Sequence, residues 1–92
     1  IMIKKLSKIP TGQAKVIIFD DGSISLISYK TSVVHISANK FLTVYGLYSA
    51  TTRKHISAFM AEYAAPLNYY DAKKVYQDNY SINIETGEVL RH

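Results

Sequence analysis

Apolar and polar residues alternate over two stretches in the first half of the chain, a pattern typical of β-strands. The first stretch runs from Ala14 to Phe19 and from Ser23 to Tyr29, with Asp20-Asp21-Gly22 between its two halves. An Asp-Gly pair between two such runs is a strong short-range signal for a hairpin. We therefore predict a β-hairpin over this stretch.

The length of that loop decides which side chains share a face of the sheet. A three-residue loop with Gly22 in the left-handed conformation places four aliphatic side chains on one face: Val16, Ile18, Ile24 and Leu26. A two-residue turn would instead bring Ile17 and Phe19 to the face of the second strand's aliphatic residues. We favour the three-residue loop, because the apolar face is then opposed by Ser23 and Ser25.

A second pair of strand-like runs covers Val33 to Ser37 and Phe41 to Tyr45, around the turn Ala38-Asn39-Lys40. Asparagine accepts positive φ better than other non-glycine residues, so a tight turn is feasible here without glycine. We predict that Ile36 pairs with Phe41, which leaves apolar residues on both faces of the sheet. Such a sheet needs cover on both sides, or uses one side for binding.

One amphipathic helix is predicted over residues 49–63, after Gly46 ends the fourth strand. Its apolar positions recur at i, i+4, i+7 and i+8 and form a single stripe: Thr52, Ile56, Phe59, Met60 and Tyr63. Ser49 or Thr51 is expected to cap its start, and Pro66 prevents it from continuing.

Residues 68–92 predict a short second helix and a terminal hairpin. Asn68 resembles an N-cap, with Asp71 three residues later, and the helix extends from Tyr69 to about Gln77. Three apolar residues then alternate with polar ones, as in a strand: Tyr80, Ile82 and Ile84. A frayed tail is the alternative to the hairpin.

These elements together predict an α+β fold in a single domain over residues 1–92. An antiparallel sheet of about four strands occupies residues 14–45, with the main helix packed on one face. Residues 1–9 form a tail or an edge strand, set apart by the break at Pro10-Thr11-Gly12.

Composition narrows the classes of protein to which this chain could belong. Its 92 residues contain no cysteine, which excludes disulfides, thiolate catalysis and cysteine-ligated metal sites. No apolar run approaches the roughly 20 residues that span a bilayer, and no signal peptide follows Ile1-Met2-Ile3. We therefore predict a cytoplasmic protein with no membrane contact, in the host cell if it is encoded by a phage.

Nothing in the sequence predicts catalysis or a cofactor. The three histidines, His35, His55 and His92, have no second histidine or carboxylate at a spacing that suits a metal. Nucleophile motifs and glycine-rich phosphate loops are absent. We predict a protein that is not an enzyme and holds no metal or cofactor.

The start of the main helix departs from an electrostatic rule. Arg53, Lys54 and His55 lie in its first turn, where the positive end of the helix dipole makes cations unfavourable by about 0.3–1 kcal/mol each. With nearby hydroxyls they predict a contact for an anion or a partner protein at six residues: Ser49, Thr51, Thr52, Arg53, Lys54 and His55. The alternative is an exposed helix start that tolerates cations without a role.

Charge and aromatic content indicate two further kinds of surface. The formal charge of +4 permits nucleic acid or an acidic protein as partner. Among eight tyrosines, Tyr70 is predicted to be an exposed contact, because it lies opposite the apolar side of the second helix. A free face of the sheet is the alternative site for DNA. There the phosphate contacts, together with Arg53, would be Lys15, Lys30 and Lys40, and the base contact would be Phe41 or Tyr45.

Two runs of the chain carry a resemblance to known proteins: Ser28-Tyr29-x-Thr31-x-Val33 and Val44-x-Gly46-Leu47-Tyr48-Ser49-x-Thr51-Thr52-x-Lys54-His55-Ile56-x-x-Phe59. They resemble small uncharacterised proteins of phages and mobile elements in Gram-positive and gut bacteria. The resemblance implies strands followed by one helix in an intracellular accessory protein, with no catalytic residue.

Our leading hypothesis from the sequence is a non-enzymatic protein that binds a host or phage macromolecule, as an inhibitor of a nucleic-acid-handling or defence complex. A direct DNA-binding module is the first alternative. A structural homo-oligomer, joined through tyrosines or an edge strand, is the second.

Overall fold

The computed structural model describes residues 1–10 and 12–92; Thr11, in the predicted break, lies outside the described residues. The described chain forms seven strands and two helices. The strands are β1 (Met2–Lys4), β2 (Ala14–Ile18), β3 (Ile24–Ser28), β4 (Thr31–Ile36), β5 (Phe41–Val44), β6 (Tyr80–Asn83) and β7 (Val89–Arg91). The helices, α1 (Ala50–Tyr63) and α2 (Tyr69–Gln77), lie between β5 and β6.

All seven strands form one antiparallel sheet in the order β1-β2-β3-β4-β5-β6-β7. The prediction of about four strands was therefore wrong, although the α+β class holds. The edge strand expected within residues 1–9 is β1, and the predicted terminal hairpin is β6 with β7, but both belong to the same sheet and do not lie apart from it. Strand β6 pairs with β5 across the whole helical segment, a long-range pairing that local patterns do not report.

The first hairpin has the predicted three-residue loop. Ile18 pairs with Ile24 and Val16 with Leu26, so these aliphatic side chains share one face. The Phe19 amide donates to the Ser23 carbonyl at 2.9 Å, and Gly22 has φ +88°, in the left-handed region that suits glycine. The hydrophobic pattern and the turn residues agree here, and both were visible in the sequence.

The second hairpin has the predicted turn but not the predicted register. The Ser37 amide donates to the Phe41 carbonyl at 2.9 Å, so Ile36 pairs with Leu42 rather than with Phe41. Because side chains alternate along a strand, this one-residue shift moves Leu42 and Val44 to the apolar face. The left-handed residue is Lys40, with φ +74°, and not asparagine.

Both helices cover the same face of the sheet. Helix α1 packs on β3, and α2 packs on β5, on β6 and against α1. The predicted stripe of α1 lies in the core, with only Tyr63 half-buried. Helix α2 has the predicted cap, since Asn68 accepts from the Asp71 amide and Asp71 accepts from the Asn68 amide. Neither helix of the described chain has both the length and the hydropathy to cross a membrane.

The other side of the sheet, called the open face, carries no helix. A row of buried and half-buried side chains crosses it, and most of them are polar: Ile17, Ser25, His35, Thr43 and Ser81. Hydrogen bonds join Ser25 Oγ to His35 Nδ1 at 2.7 Å and Thr43 Oγ1 to Ser81 Oγ at 2.7 Å. The open face is thus more polar than the predicted two-sided apolar sheet, because Leu42 and Val44 face the helices.

Candidate functional site

A hydrogen-bonded network fastens the start of α1 to the end of β3. Ser49 caps the helix by accepting from the Thr52 amide at 3.2 Å. The Thr52 hydroxyl lies 3.0 Å from Ser28 Oγ, which lies 2.8 Å from His55 Nδ1. Ser49 Oγ donates to Thr52 Oγ1 at 3.3 Å, which completes a chain of four polar side chains.

One arrangement of protons satisfies the whole network. If Ser49 donates to Thr52, Thr52 to Ser28 and Ser28 to His55, then Nδ1 of His55 accepts and the imidazole is neutral. His55 is 1% exposed, and its burial lowers the pKa of the imidazole from its ordinary value. The exposed ring of Tyr29 lies over it, with ring centroids 5.9 Å apart.

This network changes the role of three residues that were predicted to meet an anion or a partner. Thr52 and His55 are buried, so neither side chain reaches the surface of the chain. The Ser49 hydroxyl is hydrogen-bonded to the Thr52 amide and hydroxyl. The sequence placed His55 in that contact, because it could not show that Ser28 supplies the imidazole with a buried partner.

Arg53 and Lys54 remain exposed beside the network, and Thr51 is half-buried. The β3–β4 turn packs against the first turns of α1, because Ser28 bonds to Thr52 and the Tyr29 ring contacts that of His55. Lys30, in that turn, therefore lies at the same end of the sheet as Arg53 and Lys54. Tyr48, 62% exposed, folds over Gly46 just before the helix. We call this surface the basic end and define it by five residues: Tyr29, Lys30, Tyr48, Arg53 and Lys54.

The opposite end of the sheet is acidic. In an antiparallel meander, the loops β2–β3, β4–β5 and β6–β7 lie at the same end of the strands. Those loops carry four carboxylates, opposed by Lys40: Asp20, Asp21, Glu85 and Glu88. We call this the hairpin end. Among the described residues no lysine or arginine side chain forms an ion pair, so the cations of the basic end are available.

The five residues predicted as an alternative DNA contact do not share one surface. Lys40 and Phe41 lie at the hairpin end, whereas Lys30 and Tyr45 lie at the opposite end of the strands. Lys15 is exposed on the open face near the start of β2. These residues are separated because alternate loops of a meander lie at opposite ends of the strands.

The predicted aromatic contact, Tyr70, is on α2 and is 74% exposed. Its ring packs edge-on against that of Tyr69, with centroids 5.8 Å apart. Lys73 and Lys74 are exposed one turn later on the same helix. These three residues form a separate patch, which we call the α2 patch.

A cleft of about 550 Å³ lies between the ends of β5 and α2. Phe41 and Leu42 of β5 pair with β6, and the cleft lies at the later residues of β5, past this pairing. Six residues line it: Thr43, Val44, Tyr45, Tyr76, Asn79 and His92. Of these, Tyr45 and His92 had been considered in the sequence as possible functional residues. Tyr76 and Asn79 had not, because only the fold brings their segment next to β5.

Sequence reasoning also missed Tyr29 and Tyr48 as surface residues of the basic end. Both have positive φ, 58° and 38°; Tyr29 ends a predicted strand, and Tyr48 lies just before the predicted helix. That position was the available signal, because breaks lie on the surface. Among the described residues, no three His, Cys, Asp or Glu side chains form a group that could hold a metal ion.

Comparison with known proteins gives a family but no activity. The chain matches a family of unknown function (DUF8033) over residues 2–82, and it belongs to that family. No curated protein and no solved structure matched the chain.

Proposed function

We propose that this member of the DUF8033 family is a non-enzymatic binding protein that holds the backbone of single-stranded nucleic acid at its basic end. The observation that supports the proposal is the grouping of three unpaired cations with two exposed tyrosines. Lysine and arginine neutralise phosphates, and neutralisation releases counterions from the strand.

The tyrosines favour a single strand over a duplex. Tyr29 is 49% exposed and Tyr48 62% exposed, so each presents ring surface beside a cation. Unpaired bases stack on such rings whatever their sequence, whereas the bases of a duplex are already stacked on each other. The carboxylates of the hairpin end would repel the same strand, so the charge distribution also orients it.

The experiment compares two matched pairs of charge reversals. Arg53→Glu with Lys54→Glu alters the basic end, and Lys73→Glu with Lys74→Glu makes the same change of charge on the α2 patch. Fluorescence anisotropy with a labelled 12-nucleotide strand measures affinity at several salt concentrations. We expect the first pair to weaken binding by on the order of tenfold or more and to reduce the salt dependence.

The second pair of reversals is the control for net charge. It should weaken binding much less, because it lies outside the basic end. Equal losses in the two double variants would show that only total charge matters and would overturn the assignment of the site. A wild-type chain that fails to shift the labelled strand at low salt would overturn the proposed function itself.

A second candidate function is inhibition of a host nucleic-acid-handling or defence complex through protein contact. The α2 patch favours it, since an exposed tyrosine beside two lysines suits an acidic protein surface. The resemblance to small phage and mobile-element proteins points the same way. A pull-down from the native host, repeated with Tyr70→Ala and with each double variant, separates the candidates. Loss of one partner through Tyr70→Ala alone would favour the inhibitor.

A further inference from the structure

The cleft lies beside the basic end but is lined by different chemical groups. None of its six lining residues carries a lysine, arginine or carboxylate side chain. Two of them, Tyr45 and Tyr76, present partly exposed aromatic rings from β5 and α2. The cleft is therefore suited to a neutral, flat group rather than to a phosphate or a cation.

Of the polar side chains that line the cleft, Thr43 and His92 are already bonded to Ser81, which leaves the Asn79 carboxamide to contact a ligand. Asn79 supplies a carboxamide, which both donates and accepts, from a residue with φ +55°. Thr43 Oγ1 bonds to Ser81 Oγ at 2.7 Å, and Ser81 Oγ bonds to His92 Nε2 at 2.6 Å. A carboxamide next to aromatic rings is a combination that proteins use to read the edge of an unstacked base.

The cleft also adjoins the basic end along the chain. Tyr45 lines the cleft, and three residues later Tyr48 belongs to the basic end. The volume of about 550 Å³ is within the range of pockets that enclose small organic ligands. A strand whose phosphates lie on Lys30, Arg53 and Lys54 could therefore place one base in the cleft.

We propose that the cleft binds a single unpaired nucleobase of the strand held by the basic end, between Tyr45 and Tyr76, with Asn79 contacting the edge of the base. This assignment rests on the proposed function. It adds a base-dependent component to binding that phosphate contacts alone do not provide.

The test uses two 12-nucleotide probes of equal charge, an oligothymidine and an abasic strand of the same length. We expect the wild-type chain to bind oligothymidine about tenfold or more tighter than the abasic strand, since stacking depends on bases. Tyr45→Leu and Tyr76→Leu should each reduce affinity for oligothymidine several-fold without changing affinity for the abasic strand. Tyr70→Leu, on the α2 patch, is the matched control and should change neither.

Nuclear magnetic resonance gives a direct readout at the cleft. The side-chain amide signals of Asn79 should shift on addition of oligothymidine and not on addition of the abasic strand. Retained chemical-shift dispersion in Tyr45→Leu and Tyr76→Leu would show that both variants are folded.

Any other result would contradict the base site, the proposed function, or both. Equal affinity for the two probes would overturn the base site and the stacking of bases on Tyr29 and Tyr48, and would leave only the phosphate contacts of the proposed function. Preference for oligothymidine that survives both cleft substitutions would place the stacked bases elsewhere and also overturn the base site. Failure of both probes to bind would overturn the proposed function and the base site together.

Discussion

The two ends of the sheet are built in different ways. At the hairpin end, each loop is stabilised by residues close to it in sequence: Phe19 bonds to Ser23, and Ser37 bonds to Phe41. At the basic end, Ser28 bonds to Thr52 and His55, which lie 24 and 27 residues away. Local turn chemistry closes each loop of the hairpin end, whereas the basic end exists only when α1 packs on β3.

This difference bears on where function can be found. The hairpin end has acidic turns in which polar residues bond within their own loop, as Asp21 does by accepting from the amide and hydroxyl of Ser23. Two of these loops also bond to each other, since the Ile84 amide donates to the Lys40 carbonyl at 2.9 Å. The basic end brings exposed cations and tyrosines from two distant segments onto one surface. A surface assembled over long range offers a combination of groups that no single segment carries.

The largest expected effect comes from breaking the network under the basic end. His55→Ala removes a buried imidazole and its bond to Ser28, and should lower the free energy of unfolding by about 2–3 kcal/mol. His35→Ala is the matched control, because His35 makes a similar bond to Ser25 on the open face but is only half-buried. Its cost should be below about 1 kcal/mol.

Urea unfolding of the two histidine variants measures both values. Equal losses would mean that the buried network contributes no more than an open-face hydrogen bond. The view that the basic end depends on long-range contacts would then be wrong.

A smaller effect is expected from residues with positive φ, and its sign should differ between the ends. At the hairpin end, Lys40→Gly should stabilise the chain by up to about 1 kcal/mol, because glycine adopts a φ of +74° without strain. Gly22→Ala should cost about 1–2 kcal/mol from backbone strain alone, since nothing lies within 4 Å of the added methyl group.

At the basic end the same kind of substitution should not stabilise. Tyr29 has φ +58°, but its ring covers the buried His55, so Tyr29→Gly loses packing as it relieves strain. Thermal unfolding of the three variants decides the matter. A gain from Tyr29→Gly as large as that from Lys40→Gly would show that the Tyr29 ring contributes nothing to the basic end.

The smallest expected effect is a dependence of stability on pH that belongs to His55. Burial lowers its pKa in the folded chain below the ordinary value of 6.5. As pH falls below about 6.5, the unfolded chain takes up a proton that the folded chain resists, so stability is lost. Above that pH both forms are neutral and the contribution is fully present.

Urea midpoints at pH 7.5 and pH 5.5 test this, with His55→Gln compared with the wild-type chain. The difference in stability between the two pH values should be smaller in His55→Gln. His35 and His92 are present in both proteins, so their contributions cancel. An unchanged difference would show that His55 does not titrate as its burial requires.

Much of the fold could be predicted from the sequence, because it depends on periodicity and on local turn residues. Asp20-Asp21-Gly22 predicted the first loop and its register, since only one loop length gives a single apolar face. The spacing of Ile56, Phe59 and Met60 predicted the buried side of α1. Asn68 and Asp71 predicted the start of α2, because a capping box is complete within four residues.

The sequence by itself therefore determined the local elements and the cations at the start of α1. Only the tertiary structure decided the size of the sheet, the register of β5 and the partners of His55. The physical reason is the range of the interactions. Turns and caps form between neighbouring residues, whereas pairing of β5 with β6 and the bond from Ser28 to His55 appear only once distant segments are packed together.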